Sequence, residues 1–285
     1  MRWESGRRSS NIEDRRGMKM PGGFKGGGIV IILLALIGMY FGIDPSIILN
    51  LGGQMGGDQS SSSSDYIPTP EENRLAEFVA VVLADTEDTW HQQFQRMGRE
   101  YVEPTLVLFS GNVQSACGFA QAAMGPFYCP GDQKVYIDLS FYQDLKEKMN
   151  APGDFAQAYV IAHEVGHHVQ NLLGISDQVH AARSRVTETE YNQLSVRLEL
   201  QADCLAGVWA HHADRSRQVV EPGDIDEALH AASQIGDDRL QQQSRGYVTP
   251  DSFTHGSSAQ RTRWFRQGFA GGELGGCDTF ATEQL

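Results

Sequence analysis

The stretch that decides the reading is Val160–Gly174, VIAHEVGHHVQNLLG, which places three histidines and one glutamate between positions 163 and 168 of an apolar segment. A helix over these residues is expected to open at Gly153 or Asp154, after Pro152, and to close at Gly174. His163 and His167 are four apart, so on a helix they differ by only about 40° around the axis and can converge on one point. Zinc takes neutral imidazole nitrogens, and a rigid helix presents two of them with little ordering cost. Glu164, the second residue of His-Glu-x-x-His, lies beside that face, where it can reach a water activated by the metal without ligating the ion. Because Ala158, Tyr159, Val160, Ile161, Ala162, Val165, Val169, Leu172 and Leu173 surround the motif, the helix reads as buried, and buried imidazoles need partners. His168 stands about 100° from His167 around the axis and reads as a supporting or packing residue.

A catalytic zinc site has three protein ligands and an open position. The extended His-Glu-x-x-His-x-x-Gly-x-x-His pattern is excluded, because Gln170 and Leu173 occupy its Gly and His positions. Further on, VRLELQADCLAGVWAHHA (Val196–Ala213) sets Glu199 and Asp203 on one helical face among Leu198, Leu200, Ala202, Leu205 and Val208. Two carboxylates there resist burial unless a cation lies near. Glu199 as third ligand and Asp203 as acceptor for a ligand histidine satisfy both; His211 and His212 are competing third ligands.

The whole chain has 285 residues and a net charge of -13, which argues against nucleic acid as a partner. Residues 1–25 nonetheless hold seven Lys/Arg against three acids. An uncharged apolar run follows at 26–43, near the length that spans a bilayer. It lacks both the polar face of a core helix and a convincing signal cleavage site, so an uncleaved anchor is expected. The positive-inside rule then makes 1–25 a cytoplasmic N-terminus. Residues 44–65, with the Gly/Ser-rich GGQMGGDQSSSSSD, read as a tether, and 66–285 as an extracytoplasmic catalytic domain on a single-pass membrane protein.

All four cysteines lie beyond the anchor, on the side where disulfides persist. They permit three pairings; Cys117 and Cys129 bracket a short loop with a Gly-Pro turn, which favours that local bridge and leaves Cys204 with Cys277. In the remainder, an amphipathic helix starts at Thr69, strands are expected at TLVLFS (from Thr105) and KVYIDLSF (from Lys134), and a long helix runs from Thr187 to about His212. A capping box of Asp224 with Glu227 opens another helix, and a last one follows HGSS. The order gives an α+β domain, mainly helical with a small sheet.

HEVGHH (His163–His168) followed by ELQAD (Glu199–Asp203) resembles the Glu-zincin metallopeptidases, in which a Glu-x-x-x-Asp on a second helix completes the site. MPGGFKGGGIVIILL (20–34), CGFAQAAMGPFYCPGDQKVYIDLSFY (117–142) and SFTHGSSAQRTRWFRQGF (252–269) closely resemble the bacterial neutral zinc metallopeptidases, membrane-anchored proteins of largely undefined substrate. That resemblance covers nearly the whole chain and implies a zincin-like fold, one zinc ion per chain and a peptide or protein substrate. In membrane metallopeptidases of the prenyl-protein-processing and heat-shock type, a downstream His followed six residues later by Arg lies near the site. His255 and Arg261 have that spacing here and are expected to act in catalysis; Tyr247 is a weaker candidate. The zincin fold also implies an edge strand that holds an extended peptide, expected in KVYIDLS. A non-catalytic zinc-containing envelope binding or scaffold protein is the alternative function, though such a site has no use for Glu164.

Overall fold

Capping chemistry sets the long helices. Thr69 and Glu72 form a reciprocal capping box at the start of α1 (Pro70–Arg96), with Pro70 in its first turn. Thr187 and Glu190 do the same for α5 (Glu188–Arg215), and Ser257 and Gln260 for α8 (Ser258–Gly271). The motif helix α3 (Asp154–Leu172) starts after Gly153, at φ 124, and Gly174, at φ 77, turns the chain beyond its end. The expected capping box at Asp224 does not form: α6 (Asp224–Gln234) begins behind Gly223 with no side-chain cap. Asp224 instead accepts from the Glu221 N–H (2.8 Å), while Glu227 accepts from the N–H of Phe155 (3.2 Å).

The computed structural model describes residues 1–18 and 66–285. The expected anchor, 26–43, and tether, 44–65, lie outside the described residues. Among the described residues no helix is long and apolar enough to cross a membrane. Two units partition the chain: residues 1–16 with 68–285, and residues 17–67. The first is treated below.

A four-stranded sheet runs in the order β1-β2-β6-β5, where β1 is Ile12–Asp14, β2 Thr105–Phe109, β6 Lys134–Asp138 and β5 Phe127–Cys129. β1, β2 and β6 are parallel, and β5 lies antiparallel to β6. A separate hairpin pairs β3 (Asn112–Ser115) with β4 (Gly118–Gln121). β2 and β6 are buried almost throughout, as their branched and aromatic runs require when flanked on both sides. KVYIDLS is therefore an inner strand, and among the described residues β1 and β5 are the edges. The reason is that the turn at 130–133 folds Phe127–Cys129 back against β6, in register Tyr128 to Val135.

Residues 1–16 belong to the same compact unit as residues 68–285. Met1 and Trp3 are buried in the main core, and the Trp3 ring meets Phe78 edge-on at 5.4 Å. β1 continues the sheet, with Ile12 opposite Leu106. The Met1 ammonium lies 2.7 Å from Asp154 and 3.4 Å from Asp224, so the acidic group at the start of α3 and α6 already faces a cation.

The core is otherwise helix on helix. α3 buries Ile161, Val165 and Val169, each worth about 1.5–3 kcal/mol on transfer from water. Close crossing needs glycine: a Cβ on Gly166 would lie 3.1 Å from the Ala202 carbonyl, and one on Gly268 of α8 only 1.9 Å from that of Cys204 in α5. The cysteines pair as expected, Cys117 with Cys129 and Cys204 with Cys277, the second fixing the C-terminal tail to α5. The remaining α-helices among the described residues are α2 (Ser140–Glu147), α4 (Ile175–Ala182) and α7 (Asp237–Arg245). The fold is the mixed α+β, mostly helical arrangement expected.

Candidate metal centre

The crossing of α3 over α5 brings one ligand atom each from His163, His167 and Glu199 within 4.8 Å of one another. His163 Nε2 lies 3.2 Å from one Glu199 oxygen, and His167 Nε2 lies 3.4 Å from the other. The two imidazole centroids are 4.8 Å apart with the rings nearly perpendicular. All three side chains are largely buried, with 7, 15 and 19 % exposure. Two imidazoles and one carboxylate converging in this way are a donor set that zinc accepts while leaving a fourth position for substrate.

The electrostatics agree with that fit. Burial opposes a charge on His163, yet Asp203, 2.9 Å from Nδ1, together with Glu199 outweighs it and raises the imidazole to about 10. Burial likewise opposes a charge on His167, and Glu199 raises it. Burial also disfavours ionised Glu199, but the two imidazoles hold its carboxyl well below the usual range. Carboxylates in this cluster thus draw protons onto the histidines unless another cation is present. A divalent ion meets the same demand with neutral rings.

Each of the two histidines is oriented by a further side chain. Asp203, fully buried, accepts from His163 and from the Tyr159 hydroxyl (2.5 Å). Arg261 grips it in a bidentate pair, Nε to one oxygen at 2.8 Å and Nη2 to the other at 2.9 Å. Arg261 is only 3 % exposed, holds Asp203 and is among the residues lining the cavity over the ligand cluster. His167 Nδ1 faces Gln170 Oε1 at 2.9 Å, and Gln170 itself donates to the Leu198 carbonyl and to Gln201. In the sequence Gln170 serves only to exclude an extended motif; a glutamine within an otherwise apolar run, three residues past His167, is the signal that it has its own partner.

The other candidates separate clearly. His255 has 52 % of its side chain exposed and lines the same cavity as His163, Glu164 and His167. Asp237 takes its backbone N–H at 2.6 Å and faces its Nδ1 at 3.2 Å, and this hydrogen bond raises the imidazole against the opposing effect of burial. His168 points away from the ligands, between the Tyr128 hydroxyl (2.9 Å) and the Val102 carbonyl (2.6 Å), and burial pushes it down to about 4. His211 meets the Phe269 carbonyl and His212 the Gly272 carbonyl, so neither competes as third ligand. Tyr247 is exposed beneath the Arg245 guanidinium and does not line the cavity.

That cavity, about 800 Å³, includes the candidate ligands His163, His167 and Glu199 in its lining, with Met124, Phe127, Phe141, Ile235 and Leu240 among its apolar residues. Glu164, buried, faces it, and edge strand β5 contributes Phe127 and Tyr128 to its rim.

Residues 1–280 match the family model described as "Putative neutral zinc metallopeptidase". The chain belongs to that family. The match includes the N-terminal segment as well as both zinc-side helices, so the family's shared sequence extends over the same residues that the fold joins. The chain is similar to "Uncharacterized protein YpfJ" of Escherichia coli K12, with 51% identity over 98% of this chain and 99% of that protein. It is also similar to "Uncharacterized protein Rv2575" of Mycobacterium tuberculosis H37Rv, with 45% identity over 65% of each chain. No solved structure matches.

Proposed function

We propose that this family member is a working zinc-dependent endopeptidase, with His163, His167 and Glu199 holding one zinc ion and Glu164 serving as general base. The observation that carries the reading is a buried glutamate facing the cavity, one residue from His163 and three from His167. A structural zinc would be closed by a fourth ligand and would need no such base. When bound, zinc supplies Lewis-acid character, polarising a peptide carbonyl and making water more acidic. Glu164 takes the proton of the attacking water and returns it to the leaving amine. His255, kept charged to higher pH by Asp237, donates towards the oxygen that becomes negative. Arg261 and Tyr159 hold Asp203, which fixes the ring of His163. The free side of β5 offers main-chain groups to an extended peptide, and the apolar wall of the cavity suits apolar side chains.

The paired cysteines support work in an oxidising, extracytoplasmic compartment, with the apolar run 26–43 as the part that meets the membrane. The test is zinc content and cleavage of an unstructured protein by the full chain and its Glu164→Gln variant. One zinc in both, with cleavage by the unsubstituted chain alone, is the expected result. Zinc in both with cleavage in neither would overturn catalysis in favour of a zinc-containing binding or scaffold protein.

A further inference from the structure

We infer that residues 1–16 lie on the same side of the membrane as the metal centre; a single crossing between Arg16 and Pro68 would put the two on opposite faces of a bilayer. The interactions that oppose this separation are buried and specific. Glu87, on α1, has 1 % of its side chain exposed, and the donors that reach it come from the N-terminal segment: Ser9 Oγ at 2.5 Å, Asn11 Nδ2 at 2.9 Å and Arg7 Nη2 at 2.8 Å. Stripped of these, its carboxylate would be an unpaired charge inside the fold, the costliest kind of polar burial.

Backbone pairing makes the same point without side chains. The Ser9 N–H donates to Ala80 of α1, the Leu106 N–H donates to Asn11, and the Arg15 N–H donates to Leu108, each within 2.9 Å. β1 thereby covers the edge of β2, whose residues 106–109 are completely buried in strand order. An exposed edge of that length and apolarity is an aggregation hazard that folded proteins cover. Trp3, buried against Phe78, adds an apolar contact of the same segment with α1.

The basic character of the segment has a second explanation here. Arg7 pairs with Glu87 and Asp88, Arg8 lies 3.7 Å from Glu77, and Arg15 and Arg16 pair with Glu13 and Asp14. These charges complement acids of the fold, so they need not mark a cytoplasmic side.

The experiment uses the full chain expressed in a bacterial cell, with a single new thiol at an exposed serine. Ser10→Cys reports on the N-terminal segment and Ser184→Cys on the catalytic domain; both residues are exposed. Spheroplasts are treated with a membrane-impermeant maleimide before and after lysis, and retained zinc in the purified chains certifies folding. The expected result is equal labelling of both variants before lysis. Ser184→Cys labelled before lysis with Ser10→Cys labelled only afterwards would overturn the inference, as would the reverse. Both labelled only after lysis would uphold shared sidedness while overturning the extracytoplasmic reading, so the two claims fail separately. Ser5→Cys, also exposed, repeats the N-terminal arm if Ser10→Cys disturbs folding.

Discussion

Two buried carboxylates organise this molecule, and they are partnered in opposite ways. Asp203 receives Arg261, Tyr159 and His163, all from helices that come after residue 153, and its partners end at a metal ligand. Glu87 receives Arg7, Ser9 and Asn11, all from the first sixteen residues, and its partners end at the sheet edge and the core. One cluster holds a candidate metal ligand and the other joins two distant pieces of chain. A disturbance near the first should therefore cost activity at nearly constant stability, whereas a disturbance near the second should cost stability at nearly constant activity per folded molecule.

The sharpest test of that division is Glu164→Gln. Loss of a general acid–base group costs about 10²–10⁴-fold in rate. Because Glu164 makes none of the ligand contacts, zinc content and thermal midpoint are expected to stay at their unsubstituted values while kcat/KM falls by that factor. A parallel drop in zinc content would show that the residue also builds the site and would blur the comparison.

On the other side stands Trp3→Ala. Truncating a buried tryptophan costs about 3–5 kcal/mol. Here it also removes the edge-on contact with Phe78 and a cation–π contact with Arg74, whose guanidinium lies 5.4 Å from the ring. Denaturant unfolding should show the loss, and the cleavage rate per folded, zinc-loaded molecule should not move. Unchanged stability would mean that the N-terminal segment only rests on the domain, and the sidedness argument would lose its energetic basis.

The contrast explains what the amino-acid sequence reveals and what it hides. Ligands four apart on a helix, carboxylates four apart on another, and Thr-x-x-Glu caps are all local patterns, so His163, Glu164, His167, Glu199 and Asp203 could be picked out, as could α1 and α5. β1 is three residues long and pairs with a strand more than ninety positions away, across an apolar run that invites a membrane reading. No periodicity signals such a partner, and positive charge near an apolar run follows the same statistics whether it marks a membrane side or pairs with acids of the fold. Arg261 shows the intermediate case: its spacing from His255 marked it as belonging to the site, but only the fold shows that it is buried against Asp203.

Asp203→Asn tests how far the first cluster serves the metal. Outer partners of zinc ligands are worth about 10–100-fold in affinity. Asparagine retains the shape but leaves the Arg261 guanidinium without its ion pair and weakens the hold on His163. Competition against a chelator should show affinity loss in that range. A loss of stability comparable to that of Trp3→Ala, with affinity unchanged, would place Asp203 in the same structural class as Glu87 and dissolve the distinction.

The smallest expected effect lies at the rim of the cavity, with Asp237→Asn. Asp237 holds His255 by side chain and backbone, and its hydrogen bond is the leading reason that the imidazole stays charged above its ordinary range. A raised pKa means that the proton, and any donation towards a developing negative oxygen, is lost only as pH rises through the elevated value. Asparagine removes the charge that sustains it, so the alkaline limb of kcat/KM should move to lower pH while the acid limb stays in place. The sign is what matters: a shift of the acid limb instead would mean that neutral His255 is the working form, acting as acceptor. Stability contributed by this pair follows the same direction for His255, being present at low pH and lost on the alkaline side, whereas the lowered pKa of Asp237 loses its share on acidification. A rim contact that changes the pH limb without changing zinc content would show that the chemistry extends past the ligands to a residue on the loop before α8, fixed by the first residue of α7.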